Sequence, residues 1–322
     1  MIQTGIIGGA GYTAGELIRL LIHHPEVEIA FVQSKSQAGR AIVDIHQDLV
    51  GEIDMTFTAA HHVGVDVLFF CQGHGNVAPF LADNEVPSHV KIVDLSRDFR
   101  LAGAHEFIYG LPELHRARIQ EANRIANPGC FATCIQLGLL PLAASQRLDT
   151  RIPVQITAIT GATGAGQKPQ PTTHFSWRQN NLSVYKVFTH QHLPEIKQSL
   201  AFLSNTDLPS LNFIPMRGGF PRGIFASMYV DFQGDVAEIK QAYQHFYQNA
   251  PFTHVVDTNP HLKQVVNTNK AMVYVEEIEG KLLIISMIDN LLKGASGQAV
   301  QNMNLMMGLP EEMGLRLKAL AF

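Results

Sequence analysis

Apolar residues run through this chain in two rhythms, and the change between them falls near the middle. In the first half, short and almost wholly apolar runs alternate with longer amphipathic ones. Residues 3–7, 27–33, 65–70, 90–95 and 124–126 read as strands buried on both faces, and residues 16–22 read as a helix between the first two. That alternation predicts a parallel sheet with crossover helices. From about Arg151 the extended runs lengthen, at residues 154–160, 223–232, 271–277 and 281–288, with one clear helix at 238–249 and a second at 194–203. Long strands with few helices between them predict an α+β unit with an antiparallel or mixed sheet. Residues 297–307 form a last amphipathic pattern that could return to the first domain. The expected class is therefore α/β. A parallel-sheet domain takes residues 1–148 plus 297–322, and an α+β mixed-sheet domain takes 149–296.

The join between the first strand and the first helix carries the first chemical signal. Gly8, Gly9, Ala10, Gly11, Tyr12 and Thr13 lead into Ala14 and Gly15, and the run fits G-x-G-x-x-A from Gly9 or G-x-x-G-x-x-A from Gly8. Small residues there let backbone approach a pyrophosphate at a helix N-terminus, so the first domain is expected to be Rossmann-like and dinucleotide-binding. The second strand ends in Ser34, Lys35 and Ser36, where a site built for NAD usually has an acidic residue for the ribose 2′-hydroxyl. Two hydroxyls and a cation suit a 2′-phosphate, so the expected cofactor is NADP.

A second signal is the sequence Asn127-Pro128-Gly129-Cys130, a turn that delivers a thiol to the start of an apolar run over 134–144, interrupted by Pro141. A helix N-terminus draws a thiol below its free pKa of roughly 8.5, which makes Cys130 a candidate nucleophile. Other loops at strand ends, 71–75 and 96–100, would face the same ligand crevice, and the second contains Ser96 and Arg100.

Composition narrows the partners. Net charge is −4, the pI is near 6.4, and no Lys/Arg block occurs, so nucleic acid and acidic membranes have no electrostatic hold. The longest apolar stretches fall well short of the roughly 18 residues a span needs, and the chain opens on a strand, so a cytoplasmic location is expected. Three cysteines, Cys71, Cys130 and Cys134, are an odd number without paired spacing, which predicts reduced thiols and no zinc cage.

Four tracts in the second half could do chemistry. Residues 160–166, Thr-Gly-Ala-Thr-Gly-Ala-Gly, form a small-residue loop centred near Gly164 that could offer amides to an anion. His190-Gln191-His192-Leu193-Pro194-Glu195 places two imidazoles and a carboxylate together, a set suited to deprotonating a thiol, although H-x-H spacing also suits a metal. Arg217 and Arg222, beside glycines, could hold a phosphate or carboxylate. Asn290 and Lys293 follow the last strand.

Taken together, residues 8–16, 34–36, 96–100, 109–114, 127–130, 190–195 and 288–305 resemble the N-acetyl-gamma-glutamyl-phosphate reductase family along essentially the whole chain. The resemblance implies NADPH-dependent reduction of an N-acyl-glutamyl phosphate to its semialdehyde in arginine biosynthesis. It also implies the two-domain fold shared with aspartate-semialdehyde and glyceraldehyde-3-phosphate dehydrogenases. It implies Cys130 as nucleophile, His190 or His192 with Glu195 as acid/base, and Asn290 beside the nicotinamide. Substrate contacts are then expected from Ser96, Arg100, Asn127, Gly164, Arg217 and Arg222, with no metal, and a homodimer or homotetramer is expected. The family commonly has Arg where this chain has Gln191, and the 217–222 tract also departs from its pattern. Both departures bear on the N-acyl group, acetyl or succinyl. Readings outside this one are an aspartate-semialdehyde dehydrogenase, a Cys/His hydrolase and an NADPH-binding sensor.

Overall fold

The computed structural model describes residues 1–61 and 64–321. They divide into two compact units, Met1–Pro128 with Ala295–Arg316, and Gly129–Gly294 with the tail from Leu317.

The first unit holds β1 (Ile2–Ile7), α1 (Tyr12–Leu21), β2 (Val27–Gln33), β3 (Val67–Phe70), α2 (Val77–Asp83), β4 (Lys91–Asp94), β5 (Ile108–Tyr109), α3 (Pro112–Glu121) and β6 (Arg124–Ala126). The sheet runs β2-β1-β3-β4-β6-β5 and every pairing is parallel. Strands buried on both faces explain the apolar runs: Ile6, Ile7, Leu68, Phe69, Phe70, Ile92 and Val93 are fully buried. Each such side chain stabilises the unit by about 1.5–3 kcal/mol. The strand order reverses direction between β1 and β3, which brings the loops after these strands together. Gly8 has φ +88° there, and a Cβ on it would lie 2.7 Å from the backbone nitrogen of Gln72, so only glycine fits.

The second unit opens on α4 (Cys130–Ala144) and continues with β7 (Val154–Thr160), α5 (Phe175–Arg178), β8 (Ser183–Val184), α6 (Leu193–Leu203), β9 (Leu211–Arg217), β10 (Ile224–Asp231), α7 (Val236–Tyr247), β11 (Thr253–Val255), β12 (Ala271–Ile278) and β13 (Lys281–Ile288). The mixed sheet runs β11-β12-β13-β10-β7-β9-β8. Residues Val154, Ile156, Ala158, Ile224, Ala226 and Met228 alternate inward, with α4 packed against β10 and β13. Because α4 is apolar on all sides and packs on this sheet and on α6 and α7, it belongs here. The domain boundary expected at residue 148 lies instead before α4.

Helix α4 continues through Pro141, where the sequence pattern predicts an interruption. A proline there deprives the carbonyl of Leu137 of its helical donor. The hydroxyl of Tyr247 on α7 replaces it, donating to Leu137 O at 2.6 Å, and Tyr243 Oη donates to Gly138 O at 2.6 Å. Tyr247→Phe is therefore expected to lower unfolding free energy by about 1–3 kcal/mol, read as a shift of the denaturation midpoint without a change in slope. An unchanged midpoint would show that the carbonyl needs no replacement.

After β13 a five-residue π-helical turn, Leu292–Ser296, leads into α8 (Gly297–Met306), which packs on α1, α3 and β4 of the first unit. Its polar side chains are buried because they bond backbone: Asn302 Nδ2 donates to Gly110 O at 2.9 Å, and Asn304 Nδ2 donates to Met313 O at 2.9 Å.

Candidate active site

In the first unit, α1 starts at Tyr12 with Gly11 as its N-cap, and it has neither a side-chain cap nor an acidic residue in its first turn. Its terminal amides and dipole are thus left for an anion. Among the described residues nothing lies within 4 Å of where a Cβ on Gly11 would sit, whereas on Gly9 it would meet Val32 at 2.2 Å. The loop is open on one side and pressed to the sheet on the other, as a pyrophosphate cradle requires. At the end of β2, Ser34 is buried and its hydroxyl lies 3.5 Å from that of Ser36, while Lys35 and Ser36 are exposed. These residues fit a 2′-phosphate and offer no carboxylate to oppose it.

The expected substrate contacts of this unit are built into its framework. Ser96 Oγ donates to Asp94 Oδ2 at 2.9 Å, and Arg100 donates to Asn127 O at 2.8 Å and Leu95 O at 3.0 Å. Asn127 is 1% exposed; its Nδ2 donates to Ala295 O at 3.0 Å and its Oδ1 accepts from Asn302 at 3.0 Å. Burial pushes the Asp94 carboxyl up to about 6 despite its bonds from Ser96.

In the second unit, Cys130 is the first residue of α4 and is half-buried, behind an N-cap Gly129 that has no side-chain cap. The backbone of Gly294 lies against it, since a Cβ on that glycine would approach Cys130 Cβ to 2.8 Å. The other two thiols differ. Burial pushes Cys71 and Cys134 up to about 12, and Cys134 Sγ donates to Ser286 O at 3.2 Å, so both stay protonated.

Glu195, 3% exposed, accepts the Gly129 N–H at 2.9 Å through Oε2 and presents Oε1 3.9 Å from His192 Nε2. The carboxylate therefore anchors the turn that carries the cysteine and stands beside an imidazole. His190 is boxed by rings: Phe131, Phe213 and Tyr185 have centroids 5.4, 5.5 and 5.6 Å away, and His192 lies at 4.7 Å. Its Nδ1 accepts the backbone N–H of His192 at 3.2 Å. Burial first, then the positive charges of Lys186 and Arg217, pull its pKa down to about 4. His190 is thus neutral near pH 7, and the hydrogen-bond network assigns its ring proton to Nε2.

The two arginines of the 217–222 tract separate. Arg222 is committed to Asp289, with Nε and NH2 donating at 3.1 Å to the two carboxylate oxygens, and that fully buried carboxylate also accepts the amides of Asn267, Leu291 and Leu292. Arg217 instead lies over the ring of Tyr185, its guanidinium carbon 4.6 Å from the centroid. Asn290 is 2% exposed; its Oδ1 accepts from Gly223 N at 2.7 Å and its Nδ2 donates to Thr163 Oγ1 at 3.0 Å.

The small-residue loop corrects an expectation. The amides of Gly161, Ala162 and Thr163 go to the carbonyls of Gly223, Phe220 and Pro221, and those of Gly164 and Gly166 close turns on Gly161 and Thr163. Donors spent in this way cannot cradle an anion. The loop packs against the 220–223 turn, where a Cβ on Gly161 would meet Pro221 O at 2.4 Å.

Sequence reasoning did not single out Tyr185, Lys186 or the contact of Gly294 with Cys130. The spacing of Tyr185 five residues before His190 is a signal only once the fold pairs β8 with β9.

Comparison with known proteins fits this geometry. A family profile described as semialdehyde dehydrogenase, NAD binding domain, matches residues 3–122, and one described as semialdehyde dehydrogenase, dimerisation domain, matches residues 130–290. N-acetyl-gamma-glutamyl-phosphate reductases of Parabacteroides distasonis and Bacteroides fragilis are 57% and 58% identical over 324 residues, covering the whole of each chain. That of Flavobacterium johnsoniae is 53% identical over 327 residues. Among solved structures, aspartate semialdehyde dehydrogenase with NADP from Candida albicans aligns with a TM-score of 0.73 at 15% identity, over 95% of this chain and 98% of that one. Aspartate semialdehyde dehydrogenase II complexed with ASA from Vibrio cholerae aligns with a TM-score of 0.72 at 15% identity, over 96% and 98%, a likeness of fold. On sequence and fold together, the chain belongs to the N-acetyl-gamma-glutamyl-phosphate reductase family.

Proposed function

We propose that this chain reduces an N-acyl-L-glutamyl 5-phosphate to the N-acyl-L-glutamate 5-semialdehyde with NADPH, releasing phosphate, as a step of arginine biosynthesis in the cytoplasm. The observation that carries the reading is a half-buried cysteine at the first position of a 15-residue helix, with a buried His–Glu pair at its N-terminus. Relatives at 53–58% identity bear the corresponding reductase name.

The chemistry follows from these groups. The α4 N-terminus stabilises the Cys130 thiolate, and His192, with the Glu195 carboxylate beside it, is suited to take the thiol proton. The sulfur attacks the activated carbonyl; a C–S bond forms, the C–O bond to phosphorus breaks, and its electron pair leaves on inorganic phosphate. Gly8, Gly9, Ala10, Gly11, Tyr12 and Thr13, with Ser34, Lys35 and Ser36, would hold NADPH, which supplies the hydride that takes the thioester to the aldehyde level. The His190 Nε2–H, neutral and desolvated, is suited to donate to the oxygen that gains charge as the carbonyl becomes tetrahedral. His192 returns a proton as the C–S bond of the thiohemiacetal breaks. Asn290, fixed between Gly223 and Thr163, shapes the turn that precedes Gly294.

Self-association belongs to the same proposal. Half-buried Ile159, Ile214 and Met216 and exposed Tyr229 line the sheet face opposite the one on which α4 packs, a surface suited to a second copy of this chain. The matching profile is described as a dimerisation domain.

The reverse assay tests the function. N-acetyl- or N-succinyl-glutamate semialdehyde should give NADP reduction that requires phosphate, with kcat/KM about tenfold or more higher for NADP than for NAD, the scale of losing charge-assisted bonds to the 2′-phosphate. Turnover with aspartate semialdehyde alone, or turnover independent of phosphate, would contradict it.

A further inference from the structure

The proposed substrate carries a phosphoryl group whose departure concentrates charge next to Cys130, so the cations around that residue need an account. Arg222 is neutralised by Asp289. Lys186 and Arg217 differ: among the described residues neither has a carboxylate at ion-pair distance, and Arg217 Nε has no hydrogen-bond partner. Both charges bear on His190. Tyr185, under the Arg217 guanidinium, has its ring centroid 5.6 Å from that of His190, which in turn packs at 5.4 Å on Phe131, the residue after Cys130. The chain also holds this arrangement against local cost. Lys186 sits in the left-handed region at φ +47°, unfavourable for a residue with a Cβ, and Phe188 follows at φ +57°. Hydrogen bonds from Tyr185 N to Pro215 O, Phe188 N to Phe213 O and Thr189 N to Lys186 O fix the turn at 3.1, 3.0 and 3.1 Å. From below, Arg178 clamps the strand end, donating to the carbonyls of Thr172, Asn181 and Arg217 and to Ser183 Oγ.

We propose that Lys186 and Arg217 form the subsite for the phosphoryl oxygens of the acyl phosphate, a proposal that rests on the function given above. In thioester formation the electron pair of the breaking C–O bond passes to the phosphate oxygen, and two unneutralised cations stabilise that charge. In reverse, the same pair holds inorganic phosphate as its oxygen attacks the thioester carbonyl and the C–S bond to Cys130 breaks. The planar Arg217 fork and the Lys186 point charge match a phosphate's several oxygens.

The test is the phosphate-dependent reverse reaction of Lys186→Asn and Arg217→Gln, alongside titration of inorganic phosphate into the NADP-loaded protein by calorimetry. Asparagine tolerates the left-handed backbone, so Lys186→Asn removes charge without adding strain. Each variant is expected to raise the KM for phosphate about tenfold or more and weaken calorimetric phosphate binding, with the semialdehyde KM within about twofold, and Lys186→Arg should restore much of the loss. A raised semialdehyde KM with unchanged phosphate KM would overturn the assignment in favour of a carboxylate site. Unchanged values for both would overturn it outright. An unmodified protein that binds phosphate through these residues but reduces no NADP with any N-acyl-glutamate semialdehyde would sink the function and leave the subsite standing.

Discussion

Replacing Cys130 by serine should lower kcat/KM by on the order of 10⁴-fold or more, while leaving NADP binding and the unfolding midpoint nearly unchanged. A hydroxyl at the start of α4 cannot be ionised by a helix dipole and a neighbouring imidazole to the extent that a thiol can. The two remaining thiols provide an internal control. Cys71 and Cys134, pushed up to about 12 by burial, should resist iodoacetamide at neutral pH, so alkylation and inactivation should run together and map to Cys130. Labelling of another cysteine, or loss of labelling without loss of activity, would dissociate the nucleophile from this site.

The second large effect is expected at the His192–Glu195 pair. His192→Gln should cost about 10²–10⁴-fold in kcat, the range of a positioned general acid/base. Glu195→Gln keeps an oxygen to accept the Gly129 N–H but removes the negative charge 3.9 Å from His192. It should therefore move the pH dependence of Cys130 alkylation to higher pH, because the imidazolium that supports the thiolate is less favoured. His190 should behave differently. Its pKa is pulled down to about 4, so its titration leaves no limb in the rate profile between pH 6 and 8. Its native pKa lies below the unfolded value of about 6.5. The stability its neutral form contributes is present above that value and is lost as pH falls toward 4. An alkylation profile unchanged in Glu195→Gln would remove the carboxylate from the ionisation of the cysteine.

Most of the architecture could be read from the sequence because apolar periodicity and strand burial report the same physics. Strands β2, β6, β7 and β13 fall where the apolar runs stop, since each run ends where the sheet meets loop. What the sequence hid were elements whose signal is tertiary. β9 contains Asn212 and Pro215, which break the apolar run, yet it pairs along β7 and receives β8 on its other side. β5 and β8 are two residues each and too short to carry a period. The continuation of α4 past Pro141 depends on hydroxyls from α7, about a hundred positions along the chain.

The site divides the same way. Motif residues Cys130, His190, His192 and Glu195 come together in one unit because α4 and α6 begin at adjacent points. Residue type alone could not say which polar groups would be consumed by the framework. Arg222, Arg100, Asn127 and the amides of Gly161, Ala162 and Thr163 are spent on internal partners, a matter of long-range pairing rather than of local pattern. Lys186 escaped notice because nothing in its sequence neighbourhood marks a left-handed turn, and only β8–β9 pairing brings its charge to bear on His190.

The measurement that bears most directly on the central claim is mass spectrometry of the protein mixed with an N-acyl-glutamyl phosphate in the absence of NADPH. The expected result is one acyl group per chain, on the peptide containing Cys130, with release of one equivalent of phosphate and discharge to semialdehyde when NADPH is added. Full reductase turnover with no acyl adduct on Cys130 under any quench would contradict the covalent route.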